Sequence, residues 1–541
     1  MKCLLLLLAS ASLTIAQDYD LAVYGGTAAG AITAISGARM GLHTVLLEPR
    51  RHIGGMVSGG LSRTDVGKRE VIGGYSLEFY WRAGNVYNLS QYLQEIAWLV
   101  EPHIAEAIFR KMLDEAGVTV LFQQRLREKD GVRKSSARIQ SIAMENGVQY
   151  TARMFADCTY EGDLMAQAGV AYTWGRESSA QFGESLAGVR NETPFHQFQV
   201  DLSPRDAAGK LLPEISSTPA GEPGSADRMV QAYNFRMILS HDPANQVAYP
   251  KPAHYDPARF ELFARLLNAM QKKQGRPSRM GEVLSVIPVP NQKADINNNG
   301  AFSTDYIGKS WDYPNASYAR REEIWRDHQD YTEQLFWFLA HDPRVPPSLQ
   351  QEVNQWGLAK DEFLDTAHWP HQLYIREARR MVGEYVMSQK DIQTDLRKPD
   401  PIGMGSYNSD SHNVQRVVNK NGFVRNEGDM QVAVQPYQIP YRVLLPKKDQ
   451  AENLLVPVCF SATHVAYSTL RMEPQYMILG QAAGVAAAMA IRRSLTVQDI
   501  DTAALTRTLV EQGAILEYSP TTQAALVARF RGKWPPPPPK Q

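Results

Sequence analysis

Two short apolar runs near the start of the chain flank a segment of small residues with a different spacing. Residues 21–24 are continuously apolar and residues 44–47 nearly so, as in strands buried on both faces of a parallel sheet. Between them Ala31, Ala34 and Ala38 recur at helical spacing, which predicts a helix that packs closely on the sheet. The pattern therefore predicts a strand, a helix and a second strand in succession.

A glycine-rich turn joins the first strand to the helix, and an acidic residue ends the second strand. In this layout the glycines allow close backbone approach, the helix N-terminus faces a pyrophosphate, and the carboxylate accepts from a ribose hydroxyl. The chain thus predicts a dinucleotide-binding unit, although Thr27 stands where the usual motif has its middle glycine. The residues predicted to bind the cofactor here are Gly25, Gly26, Thr27, Ala28, Ala29, Gly30 and Glu48.

Alternating strands and helices continue to about residue 175. An amphipathic helix is predicted over Glu101–Gly117, a strand over Val118–Phe122, and a hairpin around Gly131 and Asn146. Such alternation is typical of an α/β domain with a parallel sheet.

The composition changes after this point and later returns to the initial pattern. Residues 176–445 are rich in proline, asparagine, histidine and aromatic residues. We predict helices here at Pro257–Lys272 (with Asp256 as N-cap), Ala319–Ala340 and Tyr374–Ser388. A strand-like run at Asn453–Cys459 and a small-residue helix at Gly480–Met489 follow. A nucleotide-binding domain interrupted by a large insertion accounts for this order.

These observations divide the chain into segments. We predict a signal peptide at residues 1–16, a nucleotide-binding domain at 17–175 and 446–495, an inserted substrate or cap domain at 176–445, and a C-terminal helical segment with a proline-rich tail at 496–541. The leader has a basic residue, a short apolar core and small residues before a cleavage point after Ala16. We therefore expect a secreted or periplasmic protein without a membrane span.

The charge balance limits the possible binding partners, and the cysteine content limits the possible disulfide bonds. The 57 basic residues balance the 57 acidic ones, so we predict neither a nucleic-acid partner nor an anionic membrane surface. After cleavage only Cys158 and Cys459 remain, both in or beside apolar runs. Burial as small hydrophobic side chains is favoured, and a bridge between them stays open because it requires neighbouring strands.

Further motifs occur along almost the whole chain. They are Val23–Gly30, Glu48 with His52–Met56, Gly59–Asp65, Asp157–Asp163, Asp295–Gly300, His368–Arg380, Ser409–Arg416, Cys459–His464 and Arg471–Gly480. With these motifs the chain resembles secreted members of the FAD-dependent oxidoreductase family, which have the glutathione-reductase-type nucleotide fold. The resemblance implies an α/β fold, in which a Rossmann-like FAD-binding domain is interrupted by a large α+β substrate or cap domain.

The resemblance also implies FAD rather than NAD as the cofactor. It assigns Gly54, Gly55 and Met56 to a segment that passes along the ribityl chain and ring of the flavin. It assigns Arg471 and Gly480 to a second cofactor-contacting segment near the C-terminus. The helix in that segment would direct its N-terminus at the pyrimidine edge, where its dipole stabilises negative charge on the reduced ring.

A flavin oxidoreductase also needs a base, and histidine is the usual choice. His464 is our first candidate because it follows the returning strand, and His412 is the second. Asp410 and Arg416 could orient His412 or hold the substrate, so the predicted catalytic residues are His464, His412 and Arg416. For each histidine the alternative is a structural, hydrogen-bonded side chain.

The predicted reaction is hydride transfer between a small polar substrate, such as the alcohol carbon of a sugar or polyol, and flavin N5. The reverse direction fits equally well, and the electron acceptor is open. Alternatives are an FAD monooxygenase, a flavin-dependent isomerase or hydratase, or, in another class, a non-catalytic exported binding protein. No metal is predicted, since the calcium-like run Asp295–Gly300 has Tyr306 where its closing carboxylate should stand.

Overall fold

The computed structural model describes residues 17–92 and 95–531. The predicted signal peptide at 1–16 and the proline run at 535–539 lie outside the described residues. Within those ranges no helix combines the length and the apolar character needed to cross a membrane.

The first part of the chain alternates between strands and helices, as predicted. Its elements are β1 (Gln17–Tyr24), α1 (Ala28–Arg39), β2 (Thr44–Leu47), α2 (Gly74–Val86), α3 (Pro102–Ala116), β3 (Thr119–Leu121), β4 (Val132–Ser135), β5 (Arg138–Ala143), β6 (Gln149–Asp157), α4 (Asp163–Gln167) and β7 (Tyr172–Thr173). The predicted helix at 101–117 and strand at 118–122 are confirmed to within two residues. The hairpin prediction is confirmed by β4, β5 and β6, which pair in antiparallel fashion.

The middle of the chain contains more strands than its composition indicated. Its elements are α5 (Ser179–Phe182), β8 (Met237–Ser240), β9 (Gln246–Val247), α6 (Glu261–Gln274), α7 (Met280–Val283), β10 (Leu284–Val289), β11 (Lys293–Asn298), α8 (Tyr318–His341), α9 (Pro347–Val353), β12 (Gly357–Ala359), β13 (Arg380–Met381), α10 (Gln389–Gln393), β14 (Pro401–Gly405), β15 (Ser409–Ser411), β16 (Gln415–Val418), β17 (Val424–Glu427), β18 (Met430–Val432) and β19 (Tyr437–Pro440). An antiparallel sheet of order β10-β11-β8-β12-β9 organises this part.

The end of the chain returns to the first sheet. Its elements are β20 (Leu454–Leu455), α11 (His464–Leu470), α12 (Glu473–Arg493), α13 (Thr502–Glu511) and α14 (Thr522–Phe530). The first sheet runs β3-β2-β1-β6-β5-β4, with β1, β2, β3 and β6 mutually parallel and β20 parallel to β6. The Rossmann-like α/β fold class is therefore confirmed, and a strand from residues 454–455 completes a sheet begun at residue 17. The exact domain boundaries at 175 and 445 stay predictions.

The small residues of α1 and α12 serve to bring these two helices together. A Cβ added to Gly480 would lie 2.4 Å from the carbonyl oxygen of Ala29, and one added to Gly484 would lie 2.6 Å from that of Thr33. Only glycine permits such close backbone approach. The N-terminal half and the C-terminal return of the nucleotide fold are therefore packed directly on each other.

The helix predicted over Tyr374–Ser388 is wrong. The chain there is extended, with only β13 assigned as a strand. Four charged residues of this range, Arg376, Glu377, Arg379 and Arg380, are buried, and Arg380 donates to Glu177 and to the carbonyl of Gly175, about 200 residues away. These tertiary ion pairs and hydrogen bonds outweigh the local helix propensity.

The two cysteines of the described chain are free. Cys158 and Cys459 are both buried, and no bridge joins them. Burial raises the pKa of the Cys158 thiol well above its usual range. Both side chains thus act as small apolar groups in the core, which confirms the interpretation favoured from the sequence.

Candidate active site

The glycine-rich turn and the acid after β2 form one hydrogen-bonded unit. Glu48 accepts from the backbone N–H of Gly26 at 2.6 Å and of Arg50 at 2.6 Å. Gly54 N–H in turn donates to the carbonyl of Gly26 at 2.7 Å. Burial raises the pKa of Glu48 to about 7. The structure therefore brings the predicted turn, the acid and the Gly54 segment together around one point.

Thr27, the departure from the usual glycine motif, has a structural reason. It is the N-cap of α1, and its hydroxyl accepts from Gly30 N–H at 3.2 Å. The same hydroxyl donates to the carbonyl of Cys158 at 2.7 Å, at the end of β6. Thr27 thus fixes the N-terminus of α1 against the neighbouring strand. A short polar side chain of this kind is preferred at the N-cap position of a helix.

A narrow cavity of about 90 Å³ adjoins this unit. Its lining includes Gly25, Thr27 and Glu48, together with Arg50 and Arg125, which the sequence analysis did not single out. The carboxylate of Glu48 can accept a hydrogen bond from a ribose hydroxyl. The N-terminus of α1 and the two arginines can bind phosphate groups. The cavity therefore collects groups of the kind that bind the nucleotide half of a dinucleotide.

The Gly54-Gly55-Met56 segment lies against the start of α12. Gly55 has φ +56, and a Cβ added there would lie 2.4 Å from the hydroxyl of Tyr160. That hydroxyl accepts from Met56 N–H at 2.9 Å and donates to Glu473 at 2.7 Å. Tyr160 thereby connects the segment to the N-terminus of α12.

Buried polar groups at the N-terminus of α12 provide a test of whether a flavin fits. Glu473 Oε2 and both amide atoms of Gln475 find no hydrogen-bond partner in the described chain, although these side chains are 2 and 0% exposed. Such groups normally have partners. A ring edge with alternating carbonyl and N–H groups would supply them, and the helix dipole would favour negative charge there. The residues present therefore fit FAD.

A second cavity, of about 220 Å³, collects residues from several distant segments. It is lined mainly by charged and amide side chains, namely Arg63, Asp65, His196, Arg236, Asn297, Asn298, Asp410, His412, Gln431 and Arg471, with Tyr374 and Tyr407. We call it the polar cavity. Of the predicted residues it brings together His412 and Arg471, while Arg63, Asp65 and Arg236 were missed as site residues.

His412 is held in a defined orientation in the polar cavity. Its Nδ1 lies 2.6 Å from Oδ2 of Asp305, whose other oxygen is 3.0 Å from Arg376. Burial, and then the charge of Arg376, lowers the pKa of His412 to about 4. The imidazole is therefore neutral near physiological pH. With Nδ1–H donating to Asp305, Nε2 carries the free lone pair that a base needs.

His464 and Arg416 lie in other surroundings. His464 is 3% exposed, and its Nδ1 lies 2.8 Å from Glu377, which also pairs with Arg380. Arg416 donates to the carbonyl of Ala301 at 3.0 Å and stacks on Phe302 at 4.6 Å. Neither is among the described residues that line the polar cavity. Their predicted catalytic roles stay predictions, and the geometry supports His412 more directly.

The remaining predicted positions have structural surroundings. Arg471 donates to Tyr374 Oη at 3.1 Å and to the carbonyl of Asp410 at 2.7 Å, within the polar cavity. Gly480 lies at the contact of α12 with α1 described above. Asp295, from the calcium-like run, pairs with Arg236 at 2.7 Å. This pairing occupies the first carboxylate of that run.

One acidic cluster in the described residues has the geometry of a cation site. Its possible ligand atoms, from Glu101, His103, Asp361 and Glu362, lie within 4.8 Å of one another. Lys293 already contacts the three carboxylates at 2.6 to 2.8 Å. Its ammonium group supplies the positive charge that balances these carboxylates.

Comparisons with known proteins add a family assignment. Residues 20–509 match the family described as FAD dependent oxidoreductase. No curated protein matches the chain.

Solved structures give only partial matches. They include OxyS anhydrotetracycline hydroxylase from Streptomyces rimosus (13% identity, TM-score 0.23, covering 34% of this chain and 41% of that one). They also include THI4 from Thermovibrio ammonificans (18% identity, TM-score 0.22, covering 31% of this chain and 71% of that one). A third is a flavin monooxygenase mutant from Stenotrophomonas maltophilia (18% identity, TM-score 0.20, covering 32% of this chain and 45% of that one). This chain thus spans less than half of the hydroxylase and of the monooxygenase. At such TM-scores these matches carry no argument about activity.

Proposed function

The chain belongs to the family of FAD-dependent oxidoreductases, and from this premise we propose that it is an exported enzyme that oxidises an alcohol carbon of a small polyhydroxyl substrate such as a sugar. The observation that carries the proposal is His412, a buried neutral imidazole held by Asp305 in a cavity of charged and amide groups. The leader pattern at residues 1–16 supports export. N-terminal sequencing of exported protein should begin at Gln17.

The lining of the polar cavity supports a polyhydroxyl substrate. A hydroxyl group both donates and accepts hydrogen bonds, and this cavity offers donors in Arg63 and Arg471, acceptors in Asp65 and Asp410, and amides in between. An apolar substrate would displace the water around these groups without replacing its hydrogen bonds, which lowers the affinity of the cavity for such a molecule. The volume of about 220 Å³ favours a small molecule.

Each of the residues in the polar cavity would have a separate role in the oxidation of the alcohol. His412 Nε2 would take the proton from the substrate hydroxyl, while the hydride leaves the carbon that bears this hydroxyl, so that the alcohol becomes a carbonyl. Asp305 holds the imidazole in the required tautomer and stabilises it once protonated. Arg471, fixed by Tyr374, orients the substrate oxygens. Bound FAD supplies the two-electron acceptor, and the residues that would hold it are those around Glu48, Gly55 and the start of α12.

Anaerobic mixing with a substrate panel tests this proposal. We expect sugars or polyols to bleach the visible absorbance of the flavin without added nicotinamide. Amino acids serve as the comparison, because an ammonium group would donate hydrogen bonds to Asp65 and Asp410 but, unlike a hydroxyl, could not accept one from Arg63 or Arg471. Bleaching by none of the sugars and polyols would reject the substrate class proposed here.

The pH dependence of flavin reduction follows from the state of His412. Because its pKa is lowered to about 4, the base stays deprotonated from neutral pH down to that value. The rate constant for reduction should therefore be flat over this range and fall as the pH drops through about 4. Stopped-flow reduction, with circular dichroism to confirm that the protein stays folded, measures this. A fall centred near the ordinary histidine pKa would contradict the assignment.

A further inference from the structure

A larger cavity adjoins the polar cavity. Its volume is about 580 Å³, against about 220 Å³ for the polar cavity. His196 and Gln431 line both cavities, and Asn298 of one is followed in the chain by Asn299 of the other. The two cavities therefore share part of their lining, at His196 and Gln431.

The larger cavity differs from the polar cavity in its chemistry. Its lining combines apolar side chains from α6, α7 and the loop after β11, namely Leu266, Leu267, Met270, Val283 and Phe302, with amide side chains, namely Gln197, Gln199, Gln274, Asn299 and Gln431. Among its described lining residues the one carboxylate belongs to Glu282, which is already paired with Arg276 at 2.6 Å. We call this the apolar cavity, because more apolar side chains line it than line the polar cavity.

Two neighbouring residues at its edge add to this picture. Phe195 is 46% exposed, which is unusual for a large apolar side chain, and it lines the apolar cavity. His196 has φ +46, and its buried Nδ1 finds no hydrogen-bond partner in the described chain. The ring of His196 lies parallel to that of His412, with centroids 6.3 Å apart. The junction thus contains a buried imidazole nitrogen without a hydrogen-bond partner in the described chain and an uncovered aromatic ring beside it.

We propose that the substrate carries an apolar group of aromatic size, which binds in the apolar cavity while its reacting alcohol lies beside His412. The inference rests on the proposed function and adds the second half of the substrate to it. Contact with Phe195 and the α6 wall removes apolar surface from water on both partners, and this is the driving force for binding the group. Gln431 and His196, in the shared lining, would contact the atoms that link the two halves.

Calorimetry on the holoenzyme with its flavin chemically reduced tests the proposal, because no hydride can then be transferred during the titration. The probes are methyl β-glucoside, phenyl β-glucoside and cellobiose, which share one sugar and differ in the attached group. We expect the phenyl compound to bind at least about tenfold more tightly than the methyl compound. Cellobiose, whose second sugar is polar, should show no such gain.

Variants of the apolar wall provide the matched control. Met270→Arg places a charge in the apolar cavity without touching the polar cavity, and Met270→Leu keeps its character. We expect M270R to lose the phenyl advantage, and M270L to retain it, while both bind methyl β-glucoside like the parent protein. Phe195→Ser, at an exposed position where folding is not at risk, should reduce the advantage severalfold.

The outcomes separate this inference from the proposed function. Equal affinities for the phenyl and methyl compounds, including no binding of either, would overturn the inference. So would cellobiose binding as tightly as the phenyl compound, or an unchanged phenyl advantage in M270R. Bleaching of the oxidised flavin by an unsubstituted polyol would still support the proposed function in each of these cases.

Discussion

Replacing Gly55 with alanine is expected to leave the protein without FAD. The backbone at Gly55 has φ +56, and the new Cβ would meet the hydroxyl of Tyr160 at 2.4 Å and Thr27 Cα at 3.1 Å. To relieve this contact the Gly54-Gly55-Met56 segment must move away from the turn and from α12, between which the cofactor would bind. Visible absorbance per protein of the purified variant, before and after incubation with FAD, measures the loss.

Gly41→Ala is the matched control for this substitution. Gly41 also has a positive φ, +87, but nothing lies within 4 Å of a Cβ added there. The two variants therefore share the backbone strain, which costs on the order of 1 kcal/mol, and differ in the steric contact. G41A should retain full flavin content. Normal flavin content in G55A, or an equal loss in G41A, would contradict the placement of the cofactor along this segment.

Replacing His412 with asparagine is expected to slow flavin reduction by roughly 10²- to 10⁴-fold, the usual contribution of a general base. The asparagine amide can still donate to Asp305 in the place of Nδ1–H, but it has no nitrogen lone pair corresponding to Nε2. The cavity and the cofactor contacts should stay intact. Stopped-flow bleaching with the best substrate of the panel, at unchanged flavin content, measures the effect.

His464→Asn provides the comparison. His464 is paired with Glu377 in a buried ion-pair cluster that also contains Arg380. Its loss should therefore lower the free energy of unfolding, while the rate constant for flavin reduction stays nearly unchanged. We expect flavin reduction in H464N to stay within about threefold of the parent, far less than the effect of removing a general base. A slow H464N together with a fast H412N would reverse the assignment and make His464 the base.

The arrangement of the glycine-rich turn, α1 and Glu48 was largely predictable because its determinants are local. The strand, turn, helix and second strand lie within residues 21–47, and Glu48 follows at once. Thr27, which looked like a defect in the motif, is an N-cap that also binds the end of β6. That second contact spans 131 residues and could not be inferred from local spacing.

The polar cavity was less predictable because its contacts connect distant segments. Asp305, which orients His412, is 107 residues away in the chain, and the sequence analysis assigned that role to Asp410 and Arg416 instead. Arg416 is turned toward Ala301. The error at Tyr374–Ser388 has the same origin, since ion pairs to Glu177 keep a helix-like sequence extended. The motif Gly59–Asp65 was noticed, yet nothing local shows that Asp65 enters the polar cavity.

The central claim is that a substrate alcohol carbon delivers its hydride in the cavity of His412. The most direct measurement is anaerobic flavin bleaching by the best sugar or polyol of the panel, with and without deuterium on the reacting carbon. The account predicts bleaching without nicotinamide and a severalfold slower rate with deuterium, since breaking that C–H bond is part of the step. Bleaching only by a reduced nicotinamide, followed by oxygen-dependent hydroxylation of the substrate, would contradict it and identify a monooxygenase.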